Sequence, residues 1–460
     1  MLKFNLFILC LEIYAILVLL FEVELPCSSA ANQTPSTKLF VSLLPLMMTI
    51  LSKHTEGWSA TTIPAFLCSM LLPMGAILEG LPKLSFGVLV SFLAITHANA
   101  IRSFPIKKLI QPTGPFRVGY KTYKDKSDVI YSVFYPTLNP TSILAKFIPD
   151  EDAWKKYREI AQGKTNFPPK WLFDVLTHFC TKLNLLVSVD APIVSQQELK
   201  QHTHLEKFIP VVFSHGLGGS RNNYSSILTQ LASQGHFVVA MDHQDNVRDL
   251  CLECEKHVFK YLGMRIREIT QMINEISTWS GSLSKLFGNQ IELDLSRLTV
   301  MGHSYGGCSA YKVASQDERV KHCVLFDPWM TPVEKEALDN KLGCSLLLFE
   351  SGDWNEQYPI FEVTKRNHRV MEAQRSNECG AIYCKVPHSI HSNFCDDILL
   401  VGGVMKLLKM IEDVDKTAEI YKGAIRIVGN YYSNVIARKQ NSDTFILFEA
   451  DEKFPLQKYA

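Results

Sequence analysis

The feature that most constrains the fold of this 460-residue chain is a series of short apolar segments that alternate with amphipathic stretches. Each segment is almost continuously hydrophobic and is followed by a turn and then by residues at helical spacing. Strands of this kind are buried on both faces, as in a parallel sheet that helices cover. From about residue 115 the sequence therefore predicts one α/β domain with a mainly parallel central sheet flanked by helices. The predicted strands are residues 129–135, 208–214, 237–241, 297–301, 320–326, 345–350 and 381–386. The predicted helices are 150–163, 171–186, 224–234 and 305–315, with further helices between about residues 258 and 284.

Composition limits the class of protein. Hydrophobic residues make up 47% and charged residues 20%, which excludes a disordered chain, a collagen or a coiled coil as a description of the whole. With 47 basic and 46 acidic residues the net charge is +1, so no global electrostatic field would attract nucleic acid, and we expect no nucleic-acid partner. No signal in the sequence predicts an oligomeric state.

The first hundred residues are more apolar than the rest of the chain. Residues 4–23 form a run of about membrane length after Lys3, although Glu12 inside it would be costly at mid-bilayer. Three shorter or interrupted apolar runs follow at 39–51, 63–78 and 84–98. The last run ends in Ala98-Asn99-Ala100, a small-residue pattern typical of signal-peptide cleavage. We therefore expect residues 1–100 to be a hydrophobic leader or membrane-anchoring region and residues 101–460 to be the globular domain of a membrane-associated or secreted protein.

Cysteine usage is compatible with a location outside the cytosol without proving it. Nine of the 12 cysteines follow residue 101, so that part of the chain cannot pair all of them internally. Cys251-x-x-Cys254 is a single CxxC without a second pair, which favours surface or disulfide cysteines over a zinc or redox site. Asn32 and Asn223 each begin a glycosylation sequon.

The most informative motif is Gly302-x-Ser304-x-Gly306, which lies between an apolar strand and a helix. Glycines allow a sharp strand-to-helix turn without Cβ clashes, so that the serine Oγ projects above the sheet. The N–H groups at the start of the next helix point to the same place. The context favours Ser304 as a nucleophile over an incidental serine in a glycine turn.

A serine nucleophile needs a base, and the base needs an orienting acid. In folds of this type the acid follows the serine and the histidine follows the acid. Asp327 ends the next predicted strand, whereas Asp317 lies in a polar run that is typical of solvent-exposed residues. We therefore predict Asp327 as the acid.

Three histidines follow Asp327. His368 lies in a polar helical stretch and is typical of a surface position. His388 and His391 both follow the strand-like residues 381–386, and spacing alone leaves both as candidates for the base. No third ligand at a suitable spacing supports a metal site at this pair.

Two backbone N–H groups are expected to bind the oxyanion. One is that of Tyr305, directly after the nucleophile, and the other is assigned to Leu217 in the glycine-rich loop 215–219 after an earlier strand. A dinucleotide fingerprint in this loop is excluded, because the third glycine of G-x-G-x-x-G would fall at Arg221.

Together these segments resemble the platelet-activating factor acetylhydrolase family, the plasma and type II intracellular group of lipoprotein-associated phospholipases A2, which has the α/β-hydrolase fold. The resemblance covers about residues 112–450. It selects His391 over His388, because SIHSNFCD is similar to the family's segment around its base. The segments that carry it are GPFRVGY (114–120), FIPDEDAW (147–154), PVVFSHGLGGSRNNYS (210–225), MGHSYGG (301–307), LFDPWM (325–330) and SIHSNFCD (389–396).

The resemblance implies calcium-independent hydrolysis of a short or oxidised sn-2 acyl ester of a glycerophospholipid, with no cofactor and no metal. It also implies contact with a lipid or membrane surface, for which the amphipathic residues 171–186 are the candidate. The hydrophobic first hundred residues and the long separation of Asp327 from His391 depart from the family pattern. A general carboxylesterase of the dienelactone hydrolase or cutinase type, and a hydrolase-fold binding protein, are the alternatives.

Overall fold

The computed structural model describes residues 108–151, 153–155, 178–245, 255–288, 291–352, 362–407 and 411–436, with short pieces at 8–9, 11, 13, 43–50, 62–77, 90, 93–96 and 457–458. Several features predicted from the sequence lie outside these residues. They are most of the first apolar run, the Asn32 sequon, the Ala98-Asn99-Ala100 pattern, Cys251-x-x-Cys254, most of the helix predicted at 150–163, and residues 171–177.

The centre of the fold is one sheet of eleven strands in the order β11-β10-β9-β8-β7-β5-β6-β2-β1-β4-β3. Six neighbouring strands, β5 to β10, run parallel to one another, and β2, β3 and β11 each pair antiparallel with a neighbour. The strands are β1 Arg117–Lys124, β2 Ile130–Thr137, β3 Leu144–Lys146, β4 Asn184–Val189, β5 Ile209–Ser214, β6 His236–Asp242, β7 Thr299–His303, β8 His322–Phe326, β9 Ser345–Ser351, β10 Ala381–Val386 and β11 Gln457–Lys458.

Helices flank this sheet. Helices follow β5, β6 and β7 in the parallel part of the sheet, as the sequence predicted. The α-helices with assigned bounds are α1 Thr62–Ile77, α2 Gln196–His202, α3 Ser225–Ser233, α4 Glu255–Thr278, α5 Gly281–Phe287, α6 Tyr305–Ala314, α7 Val363–Ala373, α8 Asp397–Leu400, α9 Gly402–Leu407 and α10 Val414–Tyr431.

The predicted α/β architecture is confirmed, and its cause is visible in the burial of the strands. Every residue of β5, β7 and β9 is buried, which is possible only when both faces of the sheet are covered. The predicted and observed strand bounds differ by a few residues at most. The β10 prediction, residues 381–386, matches the observed strand.

The helix predicted at 171–186 is wrong at its carboxyl end. His178–Thr181 form one turn of 3-10 helix, and Asn184–Val189 form strand β4 beside β1. Leu185 and Val187 are fully buried while Asn184 is exposed, so the apolar residues here follow the two-residue period of a strand. In the sequence, apolar residues at helical spacing continue up to Leu183. The change from a helical period to the two-residue period of a strand was therefore not visible.

None of the helices in the described part of the chain is both long enough and apolar enough to cross a bilayer. The leader or anchor at residues 1–100 stays a prediction, as does the boundary at residue 101. All the cysteines that the structure describes are free thiols, and most of them are buried. They are Cys68, Cys180, Cys308, Cys323, Cys344, Cys379, Cys384 and Cys395.

The sheet register brings the carboxyl ends of the central strands to one edge. Ser214 at the end of β5 pairs with Gly302 in β7, and His303 pairs with Phe326 at the end of β8. Phe326 in turn pairs with Phe349 in β9. Loops that follow these strands therefore meet above one edge of the sheet, the usual place for a ligand site in an open α/β sheet.

Candidate active site

Ser304 lies at the sharp turn between β7 and α6. Its backbone has φ 57° and ψ −121°, a conformation that non-glycine residues rarely adopt. The end of β8 and the residues after it hold this strained residue: the Ser304 N–H donates to the Phe326 carbonyl at 2.9 Å, and the Ser304 carbonyl accepts from the Trp329 N–H at 2.9 Å. The turn presents Ser304 at the carboxyl edge of the sheet, as the GxSxG pattern predicts.

The two glycines of the motif are required by close backbone contacts. A Cβ on Gly302 would lie 2.2 Å from the Gly306 carbonyl oxygen, and a Cβ on Gly306 would lie 2.1 Å from the Ser214 carbonyl oxygen. Both separations are far below a van der Waals contact, and both obstacles are backbone. The glycines therefore permit strand, turn and helix to pack together behind Ser304.

Asp327 is fully buried at the end of β8, with φ 44°. Its Oδ1 accepts the Ser351 N–H at 2.8 Å, and its Oδ2 accepts the Ser351 hydroxyl at 2.5 Å and His391 Nδ1–H at 2.7 Å. Burial raises the pKa of Asp327 to about 6, and the two donors of Ser351 oppose that rise. The carboxylate is thus held in one orientation, with Oδ2 toward the imidazole of His391.

The structure brings His391, and not His388, to Asp327. His391 opens the 3-10 turn after β10, and its side chain is 24% exposed. Burial lowers its pKa to about 3, which favours the neutral imidazole. His388 lies three residues earlier, exposed and with φ 56°, in the turn that follows the strand.

The alternative acid, Asp317, and the third histidine, His368, lie elsewhere in the fold. His368 is an exposed residue of α7, and its ring lies 5.6 Å from that of Tyr383. Asp317 forms an ion pair with Arg319 at 2.6 Å in the turn after α6. Neither side chain faces the edge of the sheet that holds Ser304.

A buried chain of hydrogen bonds, which the sequence did not reveal, joins His391 to the glycine-rich loop. His303 Nε2 lies 3.1 Å from the His391 carbonyl oxygen and must carry the proton, since a carbonyl only accepts. His303 Nδ1 then accepts from the Tyr224 hydroxyl at 2.8 Å, and that hydroxyl accepts the Gly216 N–H at 3.0 Å. Burial and the neighbouring His391 lower the pKa of His303 to about 3, which keeps the ring neutral, and the His391 carbonyl holds its proton on Nε2.

The glycine-rich loop packs directly against the nucleophile candidate. A Cβ on Gly216 would lie 3.2 Å from the Ser304 Cβ. Among the described residues, no acceptor is bonded to the N–H of Leu217 in this loop or to that of Tyr305 at the start of α6. The loop that carries Leu217 therefore lies beside Ser304, and the N–H groups of Leu217 and Tyr305 are both unpaired within the described residues, as the oxyanion prediction requires.

The Asn223 sequon lies in the same region, but its amide is buried. The side-chain nitrogen donates to the Asp397 carboxylate at 3.0 Å, and the side chain of Ser225, the third sequon residue, donates to Asp396 at 2.6 Å. In this fold the side-chain nitrogen of Asn223, to which a glycan would be attached, faces the interior. The sequon is therefore a structural element of the loop, and a glycan would require the loop to open.

Known proteins share sequence with this chain over about two thirds of its length. The sequence profile described as "Platelet-activating factor acetylhydrolase, isoform II" matches residues 101–275 and 266–426. A platelet-activating factor acetylhydrolase of Cavia porcellus is 26% identical over 343 residues, which is 66% of this chain and 72% of the relative. A putative phospholipase A2 of Schizosaccharomyces pombe is 26% identical over 365 residues, which is 64% of this chain and 81% of the relative.

Among solved structures, a ferulic acid esterase from Streptomyces cinnamoneus superposes with a TM-score of 0.54 at 17% sequence identity. The superposition covers 76% of this chain and 99% of that one. At this identity it supports the fold alone. The two matched segments together extend over more than half of the chain, and the second segment spans Ser304, Asp327 and His391. The chain therefore belongs to the platelet-activating factor acetylhydrolase family and is a hydrolase of the esterase type with the α/β-hydrolase fold.

Proposed function

We propose that the protein is a calcium-independent serine phospholipase A2 that hydrolyses a short or oxidised sn-2 acyl ester of a glycerophospholipid. The observation that carries this proposal is the 2.7 Å hydrogen bond between Asp327 and His391 beside the strained turn at Ser304. A serine, an imidazole and a buried carboxylate in this arrangement can form and then hydrolyse an acyl-enzyme.

In the proposed mechanism Ser304 Oγ attacks the ester carbonyl while His391 Nε2 accepts the hydroxyl proton. Asp327 holds Nδ1–H and offsets the charge of the imidazolium that forms. The N–H groups of Leu217 and Tyr305 bind the oxyanion of the tetrahedral intermediate. The imidazolium then gives its proton to the leaving lyso-lipid oxygen, and a water repeats the sequence to release the acid. Every proton in this cycle is carried by His391, so the chemistry proposed here uses no metal or cofactor.

The electrostatics of the buried groups support these roles. A low pKa for His391 keeps the free imidazole neutral and able to accept a proton at neutral pH. Asp327 is ionised at neutral pH despite its burial, because its raised pKa is still about 6. A carboxylate that has lost its water is a stronger partner for an imidazolium than a solvated one.

The proposed substrate class rests on the relatives. The Cavia porcellus relative is named as a platelet-activating factor acetylhydrolase, and the fission-yeast relative is named as a putative phospholipase A2. We extend a phospholipid substrate from these names to this chain. We also propose that a lipid or membrane surface is a partner, with the hydrophobic residues 1–100 directing the protein to a membrane or out of the cytosol.

The test is release of acetate from a 1-alkyl-2-acetyl phosphocholine by the full-length chain in the presence of a calcium chelator. A long-chain sn-2 analogue and a monomeric p-nitrophenyl ester are measured beside it. Ser304→Ala is compared with Ser315→Ala, since Ser315 caps the far end of the same helix and its hydroxyl donates to the Lys312 carbonyl at 2.8 Å. Acetyl-selective release that Ser304→Ala alone abolishes is the expected result.

Two other outcomes would reject the proposal. Turnover of monomeric esters without turnover of either phospholipid would identify a general carboxylesterase. Absence of turnover, together with no labelling of Ser304 by a fluorophosphonate, would identify a binding protein on a hydrolase fold.

A further inference from the structure

A fully buried arginine lies behind the glycine-rich loop. Arg265 is on α4, and its side chain has no exposed surface. Its Nε and Nη2 bind Oδ2 of buried Asp245, at 2.8 Å and 2.5 Å. A buried ion pair seldom stabilises a fold more than apolar residues of the same volume would. Stability alone therefore does not explain why an arginine is buried here, and the other contacts of its guanidinium are informative.

Those contacts are to the backbone of the loop that carries Leu217. Arg265 Nη1 donates to the His215 carbonyl at 2.5 Å, and Nη2 lies 3.5 Å from the Gly216 carbonyl. His215 Nδ1 donates to the same Gly216 carbonyl at 2.7 Å. Two successive carbonyls of the loop are thus fixed from one side.

Because a trans peptide is planar, its N–H points away from its C=O. Fixing the His215 carbonyl aims the Gly216 N–H the opposite way, where it meets the Tyr224 hydroxyl at 3.0 Å. Fixing the Gly216 carbonyl aims the Leu217 N–H in the same manner, away from the guanidinium. The loop lies against Ser304 at Gly216, so this orientation bears on the oxyanion site.

The same guanidinium also contacts the side chain of Tyr305, whose backbone N–H is the second proposed oxyanion donor. Its central carbon lies 4.7 Å from the centroid of the Tyr305 ring, a cation–π arrangement. The Tyr305 hydroxyl donates to the Val258 carbonyl, which is also on α4. Helix α4 therefore holds the ring of Tyr305 through Arg265 and the Val258 carbonyl, and it holds the carbonyls of the loop through Arg265.

We infer that Arg265 is a positioning residue that sets the mutual orientation of the Leu217 and Tyr305 N–H groups. The planar fork of arginine suits this task, because it presents several N–H donors in fixed directions while its face stacks on an aromatic ring. A lysine ammonium at this position would keep the charge beside Asp245 but could not bind both carbonyls and the ring in the same geometry.

The test rests on the proposed esterase activity and compares Arg265→Lys with Arg297→Lys in the full-length chain. Arg297 is a matched control, since it pairs with Asp294 at 2.7 Å and donates to the Ile436 carbonyl at 3.4 Å, next to the amino end of β7. The assays are kcat and KM on a monomeric p-nitrophenyl ester, inhibition by a trifluoromethyl ketone that forms an oxyanion with the nucleophile, and melting temperature. Active sites are counted with a fluorophosphonate.

Removal of one oxyanion donor in other enzymes lowers kcat by about 100-fold to 1,000-fold, and misalignment should cost less. For Arg265→Lys we expect kcat per titrated site to fall about 10-fold to 100-fold with KM within about 2-fold. Affinity for the ketone should fall by the same factor as kcat/KM. Arg297→Lys should lower the melting temperature at most.

The inference is overturned if Arg265→Lys melts at a lower temperature while kcat per site and ketone affinity stay within about 3-fold of wild type, which a purely structural ion pair predicts. If Arg265→Lys does not fold, Asp245→Asn takes its place, because it loosens the guanidinium without removing it. The same kinetic pattern is then required. An inactive wild-type protein would refute the proposed function, and the inference with it, whereas an active and insensitive variant would refute the inference alone.

Discussion

Replacing Asp327 by asparagine should stop catalysis without unfolding the protein, and the hydrogen bonds around Asp327 explain why. Its Oδ1 accepts a backbone N–H from Ser351, a donor that cannot reverse. The asparagine oxygen must keep this bond, since the opposite orientation would place its NH2 against the Ser351 N–H. The amide NH2 then occupies the Oδ2 position and faces His391 Nδ1.

This orientation selects the wrong tautomer of the base. Facing a donor, Nδ1 of His391 becomes an acceptor, so the ring proton moves to Nε2. A protonated Nε2 cannot take the proton of Ser304, and the charge that would stabilise an imidazolium is gone. The Ser351 hydroxyl, which donates to Oδ2 at 2.5 Å, can rotate and accept from the new NH2. The packing of the site is therefore preserved.

We expect kcat to fall on the order of 10,000-fold, about 5.5 kcal/mol in activation free energy. The melting temperature should not fall, because a carboxylate whose pKa burial raises is replaced by a neutral group of the same shape. The assay is hydrolysis of a p-nitrophenyl ester at pH 7.5 with thermal unfolding of the same samples. Activity within about 10-fold of wild type in a folded variant would refute the role of Asp327 as the orienting acid.

The remaining predictions concern the base, the acid and a second buried histidine. His391→Ala should reduce ester hydrolysis by a factor on the order of 10,000, while His388→Ala should leave it within about 2-fold, and a reversal of this order in steady-state assays would identify His388 as the base. Below about pH 6 the carboxyl of Asp327 gains its proton, so kcat/KM should fall with acid in a pH-rate profile, and a profile flat to pH 4 would contradict this. His236 has no hydrogen-bonding partner for either ring nitrogen among the described residues, and burial lowers its pKa to about 3, whereas the unfolded chain protonates near 6.5. Stability is therefore lost as pH falls below 6.5, and His236→Leu should recover on the order of 1 to 2 kcal/mol at pH 5 relative to pH 7 in urea unfolding, whereas equal losses in both proteins would exclude that cause.

The parts of the fold that could be predicted from the sequence are those in which local pattern and burial agree. Strands β5 to β9 are almost continuously apolar and bounded by turns, because both faces of each strand are covered. Strand β4 could not be predicted in this way. It pairs with β1, whose residues are distant in sequence, and its own apolar residues continue a helical spacing from upstream.

Within the candidate site, the local sequence predicted the positions of the residues that follow a strand end. Ser304 and Asp327 each end a strand of the parallel part, so their common position at the sheet edge follows from topology alone. The histidine lies in a turn after β10, where both His388 and His391 have suitable spacing. Only the fold shows that the φ 56° turn at His388 leads the chain on to place His391 against the carboxylate.

The residues that sequence reasoning missed share one property: each acts on the backbone of another segment. His303 binds the carbonyl of His391, Tyr224 binds the N–H of Gly216, and Arg265 binds the carbonyls of the same loop. Such contacts leave no pattern in sequence, because any residue can supply a carbonyl or an N–H. His303 did carry a signal, since it directly precedes Ser304 and so had to lie at the elbow.

The hydrogen bonds around the glycine-rich loop couple its position to that of His391. The loop bearing Leu217 is held from one side by Arg265 and from the other by Tyr224, which is joined through His303 to the backbone of His391. A movement of the loop would therefore strain the segment that carries the base. Proposed oxyanion donor and proposed base are parts of one hydrogen-bonded unit, built on the rigid ends of β5 and β7 and on α4. In a hydrolase that keeps its donors aimed where charge develops, such coupling supplies preorganisation before any substrate arrives.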